Sequence, residues 1–144
     1  MKFMSTTSPL VSATGIWYGY FPEQTQPGDN QSHVLDIANP EAFGNDTLFA
    51  ATQSGVSVTH RAVVNVDVHA SCKHDVAIER TLGVHVDKSG TILERGQSIF
   101  VAGCGNAAYQ GILETGQIIK AFASAPGDAI AIQDGYISVS ATPI

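Results

Sequence analysis

The chain is expected to fold as an all-β domain, a barrel or a sandwich, on three observations. Residues 56–70, VSVTHRAVVNVDVHA, alternate: Val56, Val58, His60, Ala62, Val64, Val66, Val68 and Ala70 share one parity, and Ser57, Thr59, Arg61, Val63, Asn65, Asp67 and His69 the other. Such a period of two gives a strand with one dry face and one wet face. Turn signals recur at residues 87–90, 126–127 and 134–135, and no amphipathic helical pattern of more than ten residues occurs.

Size and composition narrow the class. At 144 residues the chain can bury a core without disulfides or metal. Hydrophobic residues make up 44% and charged ones 14%, against about 25% charged in a typical soluble domain, which favours a chain held against other subunits. A net charge of −6 with seven scattered basic residues excludes nucleic acid and anionic membrane as partners, since both require clustered Lys and Arg. The N-terminus lacks the apolar run of a secretory signal, so the chain is expected to be intracellular when made. Cys72 and Cys104 are then expected to be reduced, mostly buried thiols, with a single bridge as the alternative.

Taken in order, residues 1–45 are rich in Pro, Gly, Ser, Thr and Gln and read as an extended N-terminal arm, with residues 46–144 as the β domain. Within the arm lie Trp17, Tyr18, Tyr20 and Phe21, which either pack internally as a short strand or are offered to a neighbour. Asn39, Pro40 and Gly44 suggest one helical turn with an N-cap, a first-turn proline and a terminating glycine. Residues 47–52 read as a strand. The 15-residue alternation at 56–70 would span roughly 50 Å, so it is one bent strand or two joined end to end.

A hairpin tip is expected at residues 71–75, leading to an inward row of Val76, Ile78, Leu82, Val84 and Val86 and a turn at 87–90. Residues 92–93 and 98–102 read as two short strands, 103–106 as a glycine-rich bend, and 107–116 as helix or loop. Pro126-Gly127 suits a type II turn that would pair 118–123 with 129–133. Asp134-Gly135 suits a two-residue hairpin loop that would set Ile132 opposite Ile137 and Ile130 opposite Val139.

Chemistry-bearing residues are sparse. His69, Cys72 and His74, with Asp67 and Asp75 beside them, are the one group with metal-ligand chemistry, but their spacing matches no closed zinc pattern. His69 and His85, with Asp67 and Asp87, would form a polar patch if their strands were neighbours. Paired carboxylates, a Ser/His/Asp set and a phosphate loop are all unsupported, so neither an enzyme nor a cofactor is expected. Val63 breaks the polar face of the long strand, and with Arg61 it marks the expected subunit contact.

Residues 116–135, GQIIKAFASAPGDAIAIQDG, and 80–90, RTLGVHVDKSG, resemble segments of the small head decoration (cement) proteins of tailed bacteriophages. The long valine strand and the late Gly-Asp turn are also similar to the trimeric jelly rolls of the tumour necrosis factor and C1q type. The resemblance implies a homotrimeric, jelly-roll-like virion protein, made in the host cytoplasm, that binds the outside of a phage head and clamps the major capsid protein. Trp17, Tyr18, Tyr20 and Phe21 would then be anchors, the arm adding a strand to a capsid edge. The alternative is a receptor- or glycan-binding β module of a tail apparatus, its aromatics stacking on sugars.

Overall fold

The computed structural model describes residues 13–52, 54–73, 79–101, 103–127 and 129–144. The strands are β1 (Gly15–Tyr20), β2 (Gln24–Gln26), β3 (His33–Val34), β4 (Ala38–Gly44), β5 (Phe49–Ala51), β6 (Gly55–Val58), β7 (Ala62–Cys72), β8 (Thr81–Lys88), β9 (Thr91–Ile99), β10 (Cys104–Leu113), β11 (Ile118–Ser124) and β12 (Ile130–Pro143). They form two antiparallel six-stranded sheets. In the first the order is β10-β7-β12-β1-β4, with β2 also on β12; in the second it is β5-β6-β11-β8-β9, with β3 also on β11. The all-β expectation therefore holds, as a jelly-roll-like sandwich.

The core lies between the sheets. Val64, Val66, Val68 and Ala70 of β7 and Ile137, Val139 and Ala141 of β12 face Leu82, Val84 and Val86 of β8 and Ile119, Ala121 and Ala123 of β11, all essentially inaccessible. The alternation at 56–70 is two strands. It breaks at residues 59–61, where the chain leaves one sheet for the other, so β6 and β7 contribute the same apolar parity to opposite walls.

Several local expectations are corrected. Residues 15–44 are not a free arm: β1 lies between β12 and β4, and Trp17 and Phe21 are 3% and 2% exposed within the core. Residues 1–12 of the expected arm lie outside the described residues. Residues 39–44 form an edge strand rather than a helical turn, with Asn39 at φ 49° in a bulge opposite Gly19. Pro40 sits there because an edge bulge tolerates a missing N–H. Residues 46–48 are a 3-10 turn before β5. Residues 92–93 and 98–99 belong to one strand, β9, and 104–113 form β10.

The largest corrections concern pairing. β7 and β8 lie in opposite sheets, so residues 71–75 do not tip a hairpin between them, and residues 74–78 lie outside the described residues. β11 and β12 are likewise on opposite sheets, and the 126–127 turn is a crossing between them. Asp134-Gly135 is no hairpin loop. β12 runs on through it, and the register against β7 steps from Ile132–Cys72 to Asp134–Ser71, leaving Gln133 as a bulged residue. That extra residue switches parity, so that Ile130 and Ile132 before it and Ile137 and Val139 after it all reach the core.

Gly135 is required at this bulge: a Cβ would meet the His69 carbonyl oxygen and, at 2.8 Å, both Ala70 Cα and the Phe21 ring. Gly135→Ala is expected to cost about 1–3 kcal/mol by overpacking. A lowered urea midpoint with unchanged slope would register this.

Candidate functional site

The feature that stands out is the outer face of the β10-β7-β12-β1-β4 sheet. Odd-numbered residues of β7 and even-numbered residues of β10, β1 and the last part of β12 point away from the core, and the registers align them in rows across the sheet. One row runs Asn106, His69, Tyr136, Tyr20. The next runs Ala108, Asp67, Ser138, Tyr18, Glu41, and the third Gln110, Asn65, Ser140, Ile16, Phe43. A fourth begins Ile112, Val63, Thr142, whose hydroxyl is 2.8 Å from that of Thr14.

Aromatic rings gather at one end. Tyr18 stacks on Tyr136 with centroids 5.3 Å apart and planes at 14°, and meets Tyr20 edge-on at 5.1 Å. His69 lies 5.8 Å from Tyr136, and its Nδ1 donates to Asn106 Oδ1 at 2.9 Å. Burial, with the neighbouring Tyr20 and Tyr136 phenols, pushes the Tyr18 hydroxyl above its ordinary value. Tyr20 is 46% exposed, and further along the face Ile16 is 43%, Phe43 53% and Ile112 47% exposed. A hollow of about 420 Å³ opens among Tyr18, Tyr136, Asp67, Ser98, Asn106 and Ser138. The groups around it hydrogen-bond and stack, which is the chemistry of recognition.

The expected site residues divide between face and core. Tyr18 and Tyr20 stand on this face, whereas Trp17 and Phe21 point the other way, into the core, and are not surface anchors. Val63 lies on the face between Ile112 and Thr142; Arg61 is at its end, its Nε 2.9 Å from Glu114 Oε2. His69 and Cys72 project from opposite faces of β7 and cannot share one ion, and His74 lies outside the described residues. Among the described residues no three His, Cys, Asp or Glu side chains converge on a metal position. Cys72 and Cys104 are free; Cys72 is buried, but Cys104 is exposed on the edge strand β10, contrary to expectation.

The patch of His69 with His85 does not form, because β7 and β8 are in different sheets. Tyr136, Asn106, Phe43 and Ile112 were not anticipated as members of the face. The run Tyr136, Ser138, Ser140, Thr142 against Ile137, Val139, Ala141 carried the signal for the first of them.

No family model matches the chain, and no curated protein matches it. Among solved structures it is similar to PRD1 vertex protein P5, at TM-score 0.64 and 9% identity over 93% of this chain and 99% of that one. It is similar also to murine APRIL, at TM-score 0.56 and 13% identity over 90% and 98% of the two chains. The globular domain of zebrafish complement 1qA gives TM-score 0.52 and 13% identity over 90% and 96%. At these identities the likeness is one of fold: the chain is a jelly-roll-like sandwich of the kind seen in all three.

Proposed function

We propose that this chain is a structural virion protein of a bacteriophage, a homotrimeric decoration protein on the outer surface of the head that grips the major capsid protein. The observation that carries the reading is the exposed aromatic and aliphatic face of the β10-β7-β12-β1-β4 sheet, on a fold shared with a phage vertex protein. An uncovered sheet face that exposes Ile16, Tyr20, Phe43, Val63 and Ile112 among polar side chains suits an interaction surface. The low charge content of the sequence supports the same reading.

Assembly is assigned to that face, with Tyr18, Tyr20, Tyr136 and Val63 in the contact. A threefold ring requires two different patches on each chain, because its interfaces are head-to-tail. The second is assigned to the β9 side, where Leu93 is 49%, Ile99 48% and Val101 67% exposed. No catalytic role is assigned. The test is cosedimentation of purified protein with undecorated shells of the virus that encodes it. Saturable binding in multiples of three chains is expected; a monomer in solution with no binding to shells would end the proposal.

A second reading, a glycan-binding module of a host-attachment apparatus, is favoured by the hollow, where the edges of Tyr18 and Tyr136 adjoin Asp67 and Asn106. Aromatic rings beside a carboxylate and an amide suit a sugar ring. Glycan-array binding without shell association would select it.

A further inference from the structure

The outer face of the opposite sheet holds a buried histidine. His85 of β8 is 4% exposed, and among the described residues neither of its ring nitrogens has a hydrogen-bond partner. Its ring meets the edge of Phe122 at 5.6 Å, and Phe122 lies over Gly83, where a Cβ would strike the ring. A buried imidazole that makes no hydrogen bond is held in place by packing, and a proton would give it a charge it cannot solvate.

Every charged neighbour on that face bears on this proton. Arg95 of β9 and Lys120 of β11 are the direct cross-strand partners of His85, one on each side. The Arg95 guanidinium lies 5.0 Å over the Phe122 ring and reaches on to Ser32 Oγ at 3.1 Å, strapping β9 across the sheet. Asp87, two residues along β8 and 6% exposed, is the anion. Its Oδ2 is 3.4 Å from Lys120 Nζ, and its Oδ1 accepts the Gly90 N–H at 3.0 Å, closing the β8–β9 turn. β6 carries no charged residue, Glu94 shares the row of Val86 on the other face, and Asp29 near β3 is already paired with His33 at 2.7 Å.

We propose that His85 is an acid-operated latch on the β8–β9 hairpin. Neutral, it fills the space beneath the Arg95 strap. Protonated, it becomes a third cation between Arg95 and Lys120, and among the described residues Asp87 is the anion that can relieve it. Drawing Asp87 toward His85 removes the acceptor from the Gly90 N–H and the counterion from Lys120; repelling Arg95 opens the strap to Ser32. Each response loosens β9 and its turn, lowering the cost of opening the β8–β9 ladder. Desolvation by burial, aided by Lys120 and Arg95 and opposed by Asp87, holds the imidazole below its ordinary value. The opened hairpin, whose histidine is solvated, therefore takes up the proton first. Closure is complete above the ordinary histidine value of about 6.5 and weakens as the pH falls from there toward the folded value.

The test is NMR of the intact protein. The His85 ring should titrate below the ordinary histidine value, with Arg95→Gln raising its midpoint and Asp87→Asn lowering it. Amide protection at residues 91–99, taken relative to β7, should be lost between pH 7.5 and pH 5 in the native protein and kept in His85→Phe. A His85 midpoint at or above the ordinary value, or equal loss of β9 protection in the native protein and His85→Phe, would overturn the latch. If His85→Phe does not fold, the native titration and the Arg95→Gln shift decide alone.

Discussion

Trp17→Ala is expected to cost about 3–5 kcal/mol of stability, the range for emptying a buried Trp site. Trp17 sits on the inner side of β1, flanked across the sheet by Val139 and Ala42, and is 3% exposed. Domains of this kind hold only about 5–15 kcal/mol in total, so the variant would lose a large fraction of its stability. The loss should lower the thermal midpoint by on the order of 10 °C, from about 2–4 °C per kcal/mol at this size. Tyr20, three residues along the same strand on its outer side and 46% exposed, is the control.

The two substitutions should differ in kind as well as size. Tyr20→Ala should cost little in the isolated chain, and any effect should grow with protein concentration, because a contact between copies stabilises by mass action. The Trp17→Ala loss should not vary with concentration. Chemical denaturation at two concentrations tenfold apart separates them, and a concentration-dependent Trp17→Ala would return that residue to the role of surface anchor. For the same reason, deletion of residues 1–21, which removes β1 from the middle of a sheet, is a test of folding and not of an arm.

How far the fold could be read from the residues follows from which contacts are local. The alternation of β7, the apolar rows of β8 and β12, and the turn at Ser89-Gly90, where both residues have positive φ (54° and 86°), are local properties and were legible. Pairing was not. Among the described residues only β5–β6 and β8–β9 join consecutive strands; the remaining partners lie far apart in sequence, and the chain switches sheets between most neighbours. A run such as 56–70 conceals that switch, because a strand on either wall shows the same alternation to its own core.

Turn chemistry misled where pairing outweighed it. Asp134-Gly135 has the residues of a tight hairpin loop, but β12 is hydrogen-bonded by β7 on one side and by β1 and β2 on the other along its 14 residues. Folding it back at Asp134 would forfeit those ladders, whereas a single bulged residue keeps them and corrects the parity. Asn39-Pro40 failed similarly as a helix start. Residues 104–113 were obscure for a different reason: Gly105, Ala107 and Gly111 supply the inward side of β10 with small groups, so the contrast between its faces is weak. The outer face was legible in Tyr18, Tyr20 and Val63, but Phe43, Ile112 and Tyr136 join it only through registers spanning the sheet.

Tyr18→Arg combined with Tyr136→Arg is expected to take the protein from three chains to one in solution. The two rings stack at 5.3 Å within the proposed contact, where an aromatic hot spot typically carries about 2 kcal/mol or more. Truncation alone would remove that packing. A guanidinium in the same place adds a charge that must be desolvated in every interface of the ring, even where Glu41, the cross-strand neighbour of Tyr18, offers it a partner. Because a threefold ring repeats the contact three times, a loss of about 2 kcal/mol per contact becomes on the order of 6 kcal/mol per assembly. The side chains point outward, so the fold should survive, and circular dichroism should be unchanged. Ala51→Arg, exposed on β5 at the opposite edge of the other sheet from β9, should leave the mass alone. Sedimentation equilibrium reads the result: a trimer that persists in the double variant would move the subunit contact off this face, whatever the protein binds.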